Sequence, residues 1–333
     1  MPFNYSILAS LFALTVSANT FAAAPLKKVH EAVDIENKPS LDDAEFSLKI
    51  NDIVMPYSVF SIFVMPEEKV ELEVLYAQSN KPYKLISNVD SAILTKENRW
   101  QWQAPKKSGL TTVEIESPDN KQRIKINVFV KTPAEEVEGG RLKYYHIGHY
   151  PEPSQIKDKE HYIVPDGYVK VTPENEDVKI SPHFSLKEFV SKQRSKYPKY
   201  LFLQNKLLLK LERIRKELNL EGIPVNNMVI MSGYRTPYYN KSIGNVKFSR
   251  HVFGDAADIF IDNDGDYRMD DINNDGKHSI ADAQTMAAIV ESLAKRESFK
   301  GLLGGLGIYG PKSHRGAFIH VDTRGFKARW ISK

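Results

Sequence analysis

From residue 44 to residue 131 the chain alternates apolar and polar positions with period two. Val70, Leu72 and Val74 interleave with Glu71 and Glu73, and Ile124, Ile126, Val128 and Val130 with Lys125 and Asn127. In an extended strand successive side chains point to opposite faces, so each such run offers one apolar surface to a core and one polar surface to water. Short runs of this kind, separated by Pro, Asn, Asp and Gly, predict an antiparallel β-sandwich of immunoglobulin-like type over 44–131. Trp100 and Trp102 are expected to fill its core rather than to bind a ligand. Nothing in this stretch assembles chemistry.

Over 132–177 the alternation dissolves. Pro133, Gly139, Gly140, Pro151, Pro165 and Pro173 interrupt it, and Tyr144, Tyr145, Tyr150 and Tyr162 are scattered through. This reads as an ordered linker that packs on a neighbour. His146 and His149, with Gly148 between them, read as loop residues rather than as a metal pair.

At Ser181 the period becomes helical. Ser185 and Glu188 form a capping box, and Leu203, Leu207, Leu208, Leu211, Ile214 and Leu218 line one face of a long helix within Leu201–Leu220, whose Lys/Arg cluster reads as a solvated face. The short apolar runs Met228–Met231, Ala257–Ile261 and Phe318–Val321 are strand-like, and a second helix, Ala283–Lys295, lies between the last two. The fold class expected is therefore α+β: the sandwich over 44–131, a linker over 132–177, and an α+β domain over 178–333.

Composition narrows the chemistry. The 46 Lys+Arg residues nearly balance 42 Asp+Glu, leaving +4 over 333 residues, which argues against a nucleic-acid partner. Cysteine is absent, so disulfides, thiol nucleophiles and thiolate metal sites are excluded and any metal must be held by His, Asp or Glu. Residues 1–24 contain no Lys, Arg, Asp or Glu. Their apolar run Ile7–Val16, followed by small residues up to Ala22, Ala23 and Ala24, reads as a signal peptide. The mature protein is expected to be periplasmic or secreted in a bacterium, with no membrane anchor after cleavage.

Three residues stand out. Asp258 lies inside the apolar run Ala256–Phe260, His320 inside Phe318–Val321, and His251 seven residues before Asp258. A carboxylate in a buried strand is costly unless something positive meets it. Two His and one carboxylate suit zinc, and three protein ligands leave a fourth position open.

The surrounding motifs carry a resemblance. Ser232-Gly233-Tyr234-Arg235-Thr236-Pro237, then Ser249-x-His251-x-x-Gly254-x-Ala256-x-Asp258, then Phe318-x-His320-x-Asp322 resemble the D-alanyl-D-alanine carboxypeptidase/endopeptidase family. These are zinc peptidases of bacterial cell walls whose fold is shared with the N-terminal domain of hedgehog proteins. The resemblance spans about Ser181 to Trp330. It implies His251, Asp258 and His320 as zinc ligands, Arg235 as the arginine that meets a substrate oxygen, and a peptidoglycan peptide as substrate. Many members carry an acid or His three residues before the last ligand as general base; here that position is Ala317. Asp322 and His314 are the titratable neighbours, Asp322 as base or as a carboxylate orienting an imidazole, His314 as base or simply as a loop residue.

Between Asp258 and the second helix lies an acidic insertion, 262–282. Asp271, Asn273, Asp275, Gly276, Ser279 and Asp282 fall at positions 1, 3, 5, 6, 9 and 12 of an EF-hand-type loop of the dockerin kind, with Lys277 at the position that contributes its carbonyl. Calcium is expected there as a structural cofactor, and Asp262, Asp264 and Asp266 offer a second calcium position. Two functions fit the sequence: a zinc peptidase, or a catalytically weak or inactive zinc-containing cell-wall binding module, which Ala317 permits. Turnover of purified peptidoglycan separates them.

Overall fold

The computed structural model describes residues 43–332 except 78, 90, 91, 153 and 155–157. The expected signal peptide at 1–24 lies outside the described residues. The fold is α+β, rich in strands and poor in helices.

The first region forms two sheets. One has five strands in the order Ile53–Tyr57, Asp43–Ile50, Lys69–Leu75, Arg99–Gln103, Ala92–Lys96; the other has four in the order Val59–Val64, Arg123–Val130, Gly109–Glu116, Lys84–Ser87. Their alternating apolar residues are buried in one continuous core, with Trp102 fully buried and Trp100 nearly so, as the sequence predicted. Strand direction departs from the all-antiparallel expectation: Val59–Val64 pairs parallel with Arg123–Val130, matching Phe60 to Ile126, Ile62 to Val128 and Val64 to Val130. Period-two alternation fixes which face is buried, but it is blind to direction.

The stretch after residue 131 is tied to the C-terminal region. Strand Gly167–Val171 lies between Thr132–Pro133 and Lys199–Leu201 in a three-stranded sheet. The first sheets are stitched to the same region: Ser61 N donates to Ile180 O at 2.9 Å, Asn127 Nδ2 to Lys179 O at 2.8 Å, and Asn205 Nδ2 to Ser61 O at 2.5 Å.

The C-terminal region is built on a five-stranded sheet in the order Met228–Ser232, Ala256–Ile261, Phe318–Asp322, Gly305–Tyr309, Ala328–Ser332, antiparallel except for its last pair. Helix α1 (Asn205–Leu220) buries the predicted leucine stripe, α2 (Pro237–Ser242) comes after the first strand, and α3 (Ile280–Leu293) packs on α1 and the sheet. The Ser185–Glu188 capping box forms, on the short 3-10 helix Leu186–Phe189. The solvated-face reading of α1 fails at one residue. Lys210 is 2% exposed and its Nζ donates to Asp322 O at 2.6 Å. Its place between Leu207 and Ile214, three and four residues away, puts it on the apolar stripe rather than opposite it. Among the described residues no helix is long and apolar enough to cross a membrane.

Candidate metal centre

His251 sits on the 3-10 helix Arg250–Phe253, which Gly254 ends in the left-handed region at φ 66°. Any side chain there would be strained, and its Cβ would lie 2.5 Å from Phe202 O. Beyond this turn, Arg250 and Asp255 form a buried two-pronged ion pair. The chain then enters Ala256–Ile261, the second strand of the sheet, where Asp258 stands directly opposite His320 on one side and Ser232 on the other. Sheet register thus brings residues 62 apart in sequence into contact, and the turn before the strand folds His251 over them.

The donor atoms converge. His251 Nε2 is 3.1 Å from Asp258 Oδ1 and 3.2 Å from His320 Nδ1, and His320 Nδ1 is 2.9 Å from Asp258 Oδ1. Tetrahedral zinc with bonds of 2.0–2.1 Å separates its ligands by about 3.3 Å, so this donor spacing fits such an ion. Each ring is aimed from behind. His251 Nδ1 donates to Gly233 O at 2.7 Å, which leaves Nε2 as the free lone pair. His320 Nε2 faces Asp322 Oδ2 at 3.2 Å, which turns Nδ1 inward. Outer partners of this type fix tautomer and ring orientation at metal sites. All three residues are buried and form a group that could hold a metal ion.

The electrostatics show a place made for a cation. Burial pushes the Asp258 carboxyl up, but His251 and His320 outweigh it and hold it well below the usual carboxylate range. Burial pushes the His251 imidazole down, with Arg235 and His320 adding to the effect against the pull of Asp258. For His320 burial acts downward too, yet its hydrogen bonds to Asp258 and Asp322 raise it to about 9. Two imidazole nitrogens 3.2 Å apart cannot both carry charge comfortably, which sets the opposite directions of the two shifts.

Arg235 is also here, 9% exposed, with Nη2 2.6 Å from Asp258 Oδ2 and Nε 2.8 Å from Ser232 Oγ. It thus pairs with the outer oxygen of the candidate ligand, while Asp255 is taken by Arg250.

The two base candidates fare differently from Arg235. Asp322 is fully buried behind His320, where its carboxylate accepts from Gly305 N at 2.7 Å, from Arg324 N at 3.1 Å, and from Arg324 Nε and Nη2 at 3.0 and 2.5 Å. Burial pushes its carboxyl up, but His320 and Arg324 hold it well below the usual range. These contacts leave the carboxylate facing His320 Nε2 at 3.2 Å, placed to orient that imidazole, the other of the two roles expected for Asp322. His314 lies exposed in the turn before Phe318–Asp322 and makes no hydrogen bond or ion pair among the described residues. Its neighbour Arg315, which carries no signal in the sequence, lies 4.6 Å over the Phe318 ring and feels the charge of Asp258. Ala317 is buried and brings no titratable group.

In the insertion, the structure groups Asp262, Asp264 and Asp270 rather than Asp262, Asp264 and Asp266. Asp262 and Asp264 accept from backbone amides of the tight loop, whereas Asp266 turns to Arg268 N at 2.7 Å. Asp271, Asp275 and Asp282 form no such convergent carboxylate group among the described residues. Asp271 accepts from Asp275 N and Gly276 N, Asn273 Oδ1 from Asp275 N, and Asp275 from Lys277 N. Asp282 closes a capping box with Ser279 at the start of α3. Sequence reasoning misses two contributors: Arg324, whose signal is a cation two residues beyond Asp322, and Lys210, whose signal is its place on the apolar stripe of α1.

An oriented, buried His–Asp–His centre, held by two neighbouring antiparallel strands and the turn before them, makes the C-terminal region a candidate metal-dependent hydrolase. The comparisons are consistent with that class: the family model for Peptidase M15 matches residues 182–277. The matched segment contains Arg235, His251 and Asp258 and stops short of His320, and it bears out the resemblance read from the motifs. It supports a peptidase and hence a peptide substrate. Neither the curated proteins nor the solved structures yield a match.

Proposed function

We propose that this protein is a zinc-dependent peptidase that hydrolyses peptide bonds in peptidoglycan stem peptides or their cross-links, exported to the periplasm or beyond by its first 24 residues. One observation carries the reading: three donor atoms within 3.2 Å of one another, each aimed by its own partner, in a region resembling Peptidase M15. His251, Asp258 and His320 would hold the zinc, which when bound supplies Lewis acidity, polarising a carbonyl and lowering the pKa of water. The protein's own part is positioning. Asp322, locked by Arg324 and Gly305, keeps His320 turned inward. Ser232 and Asp258 hold Arg235 by Nε and Nη2, and its Nη1, unengaged by the described residues, is offered to a substrate oxygen as negative charge develops.

We read 44–131 as an immunoglobulin-like spacer or docking domain, 132–177 as a linker and 178–333 as the peptidase domain. The acidic insertion takes calcium as a structural ion in this reading, supported by the spacing of Asp271, Asn273, Asp275, Ser279 and Asp282. A second reading, a catalytically weak or inactive zinc-containing cell-wall binding module, is favoured by one feature: Ala317 stands where a base is expected and Asp322 is already engaged. Digestion of purified peptidoglycan by zinc-loaded protein, followed by mass spectrometry of the fragments, decides. Cleaved stem peptides support the peptidase; unchanged fragments, with one equivalent of zinc bound, support the binding module. Equal zinc content in the wild type and His251→Ala would sink both.

A further inference from the structure

An open cavity of about 570 Å³ lies where the 132–177 stretch meets the matched region, lined by Tyr144 and His146 from one side and by Gln193, Arg194, Lys196 and Tyr238 from the other. Its walls are built, not incidental. Gln193 is buried and clamps the two sides, donating from Nε2 to His146 O at 3.0 Å and accepting from Thr236 Oγ1 at 3.0 Å. Tyr238 N donates to Ile147 O at 3.0 Å, and the ring of Tyr238 meets that of His146 edge-on at 4.3 Å. Gly148 makes the contact possible: at φ 83° it favours glycine, and a Cβ there would lie 2.6 Å from Tyr238 N. Thr236, which Gln193 clamps, directly follows Arg235 in sequence and precedes Tyr238 of the cavity wall by two residues.

The lining is one-sided in charge. Arg194 and Lys196 are exposed and make no ion pair among the described residues, and no Asp or Glu lines the cavity. Tyr144 and Tyr238 are 80% and 46% exposed, which sets aromatic surface beside these two cations. A guanidinium fork matches a carboxylate in shape as well as charge, and tyrosine offers an apolar body with a polar tip to a peptide beside it. We propose that this cavity is a subsite for free carboxylates of an acidic peptide substrate, a reading that rests on the peptidase assignment of the adjoining centre. It gives the tyrosine-rich 132–177 stretch a part in substrate selection.

The test uses the full chain, zinc-loaded, with Arg194→Ala and Lys196→Ala combined, and two synthetic peptides of one sequence, with side-chain and terminal carboxylates free or amidated. Two exposed cations predict a KM on the free-carboxylate peptide raised roughly three- to tenfold with kcat unchanged. The amidated peptide should show the raised KM already in the wild type and be indifferent to the substitutions. Equilibrium titration of both peptides onto the zinc-free wild type should show preference for free carboxylates, weakened by salt and lost in the double variant. Equal titration curves for wild type and variant, or tighter binding of the amidated peptide, would overturn the subsite. If the wild type cleaves neither peptide, the peptidase reading fails while the titration still decides the subsite.

Discussion

Asp322→Asn separates an orienting carboxylate from a general base. Asparagine keeps the shape and can still accept from Gly305 N, but it removes the charge that holds Arg324 through Nε and Nη2 and that faces His320 Nε2 at 3.2 Å. Losing an outer partner of a metal-bound histidine lowers metal affinity by about 10- to 100-fold. Breaking a buried ion pair costs about 3–5 kcal/mol. Because the Arg324 side chain keeps 16% exposure, the low end, about 3 kcal/mol, applies. At about 2.1 cal/mol/K of unfolding entropy per residue, that lowers the melting temperature of a 333-residue chain by roughly 4 °C. The assays are zinc competition against a chelator of known affinity, thermal unfolding, and turnover at saturating zinc. An orienting role predicts weak zinc binding, lower stability, and activity largely restored when zinc is in excess. A base predicts the same loss of stability, since the ion pair is broken in either case, but unchanged zinc affinity and turnover down by about 10²–10⁴ at any zinc concentration. That second pattern would refute the reasoning.

Arg235→Lys keeps the charge but loses the fork that engages Ser232 and Asp258 together, so peptide turnover should fall about 100- to 1000-fold at saturating zinc; near-wild-type rates would remove Arg235 from the mechanism. In the metal-free protein His320, raised to about 9, binds a proton that the unfolded chain at an ordinary value near 6.5 does not. Its stabilisation is complete below about pH 6.5 and is lost as pH rises through about 9. Between pH 7 and 8, above Asp255 at about 7 and below Lys210 at about 8, stability should therefore fall by about 1 kcal/mol per pH unit; a urea midpoint that rises with pH there would contradict the assignment. Adding calcium should make the 262–282 insertion protease-resistant, and Asp271→Ala with Asp275→Ala should abolish that protection without changing zinc content; identical cleavage with calcium and with chelator would refute calcium binding.

Legibility in the sequence depends on which interactions are local. The strand holding Asp258 and the one holding His320 announce themselves because a charged or polar residue inside an apolar run is anomalous on its own, whatever it later meets. The leucine stripe of α1 and the capping box at Ser185 are legible for the same reason, since each is complete within a few residues. The start of α3 is a correction: the helix begins at Ile280, not Ala283, because Ser279 and Asp282, which the loop spacing gives to an ion, cap it. The strand Gly305–Tyr309 is not foreseen. Its glycine-rich sequence lacks the alternation that marks a strand, and its place is set by register with Phe318–Asp322 and Ala328–Ser332. Residue roles decided by non-local contacts are the hardest to assign. Asp322 alternates with His320 on one strand, which suggests that both face the substrate. The fold instead places Gly305, Arg324 and Lys210 around it from two other elements and a turn. Alternation along a strand shows which side of the sheet a residue is on. Whether that side is open to a substrate or already filled depends on neighbours from outside the strand, here Gly305 on the adjacent strand and Arg324 in the turn that follows, and that is why the centre's candidate ligands stand out in the sequence while the surroundings of its second carboxylate do not.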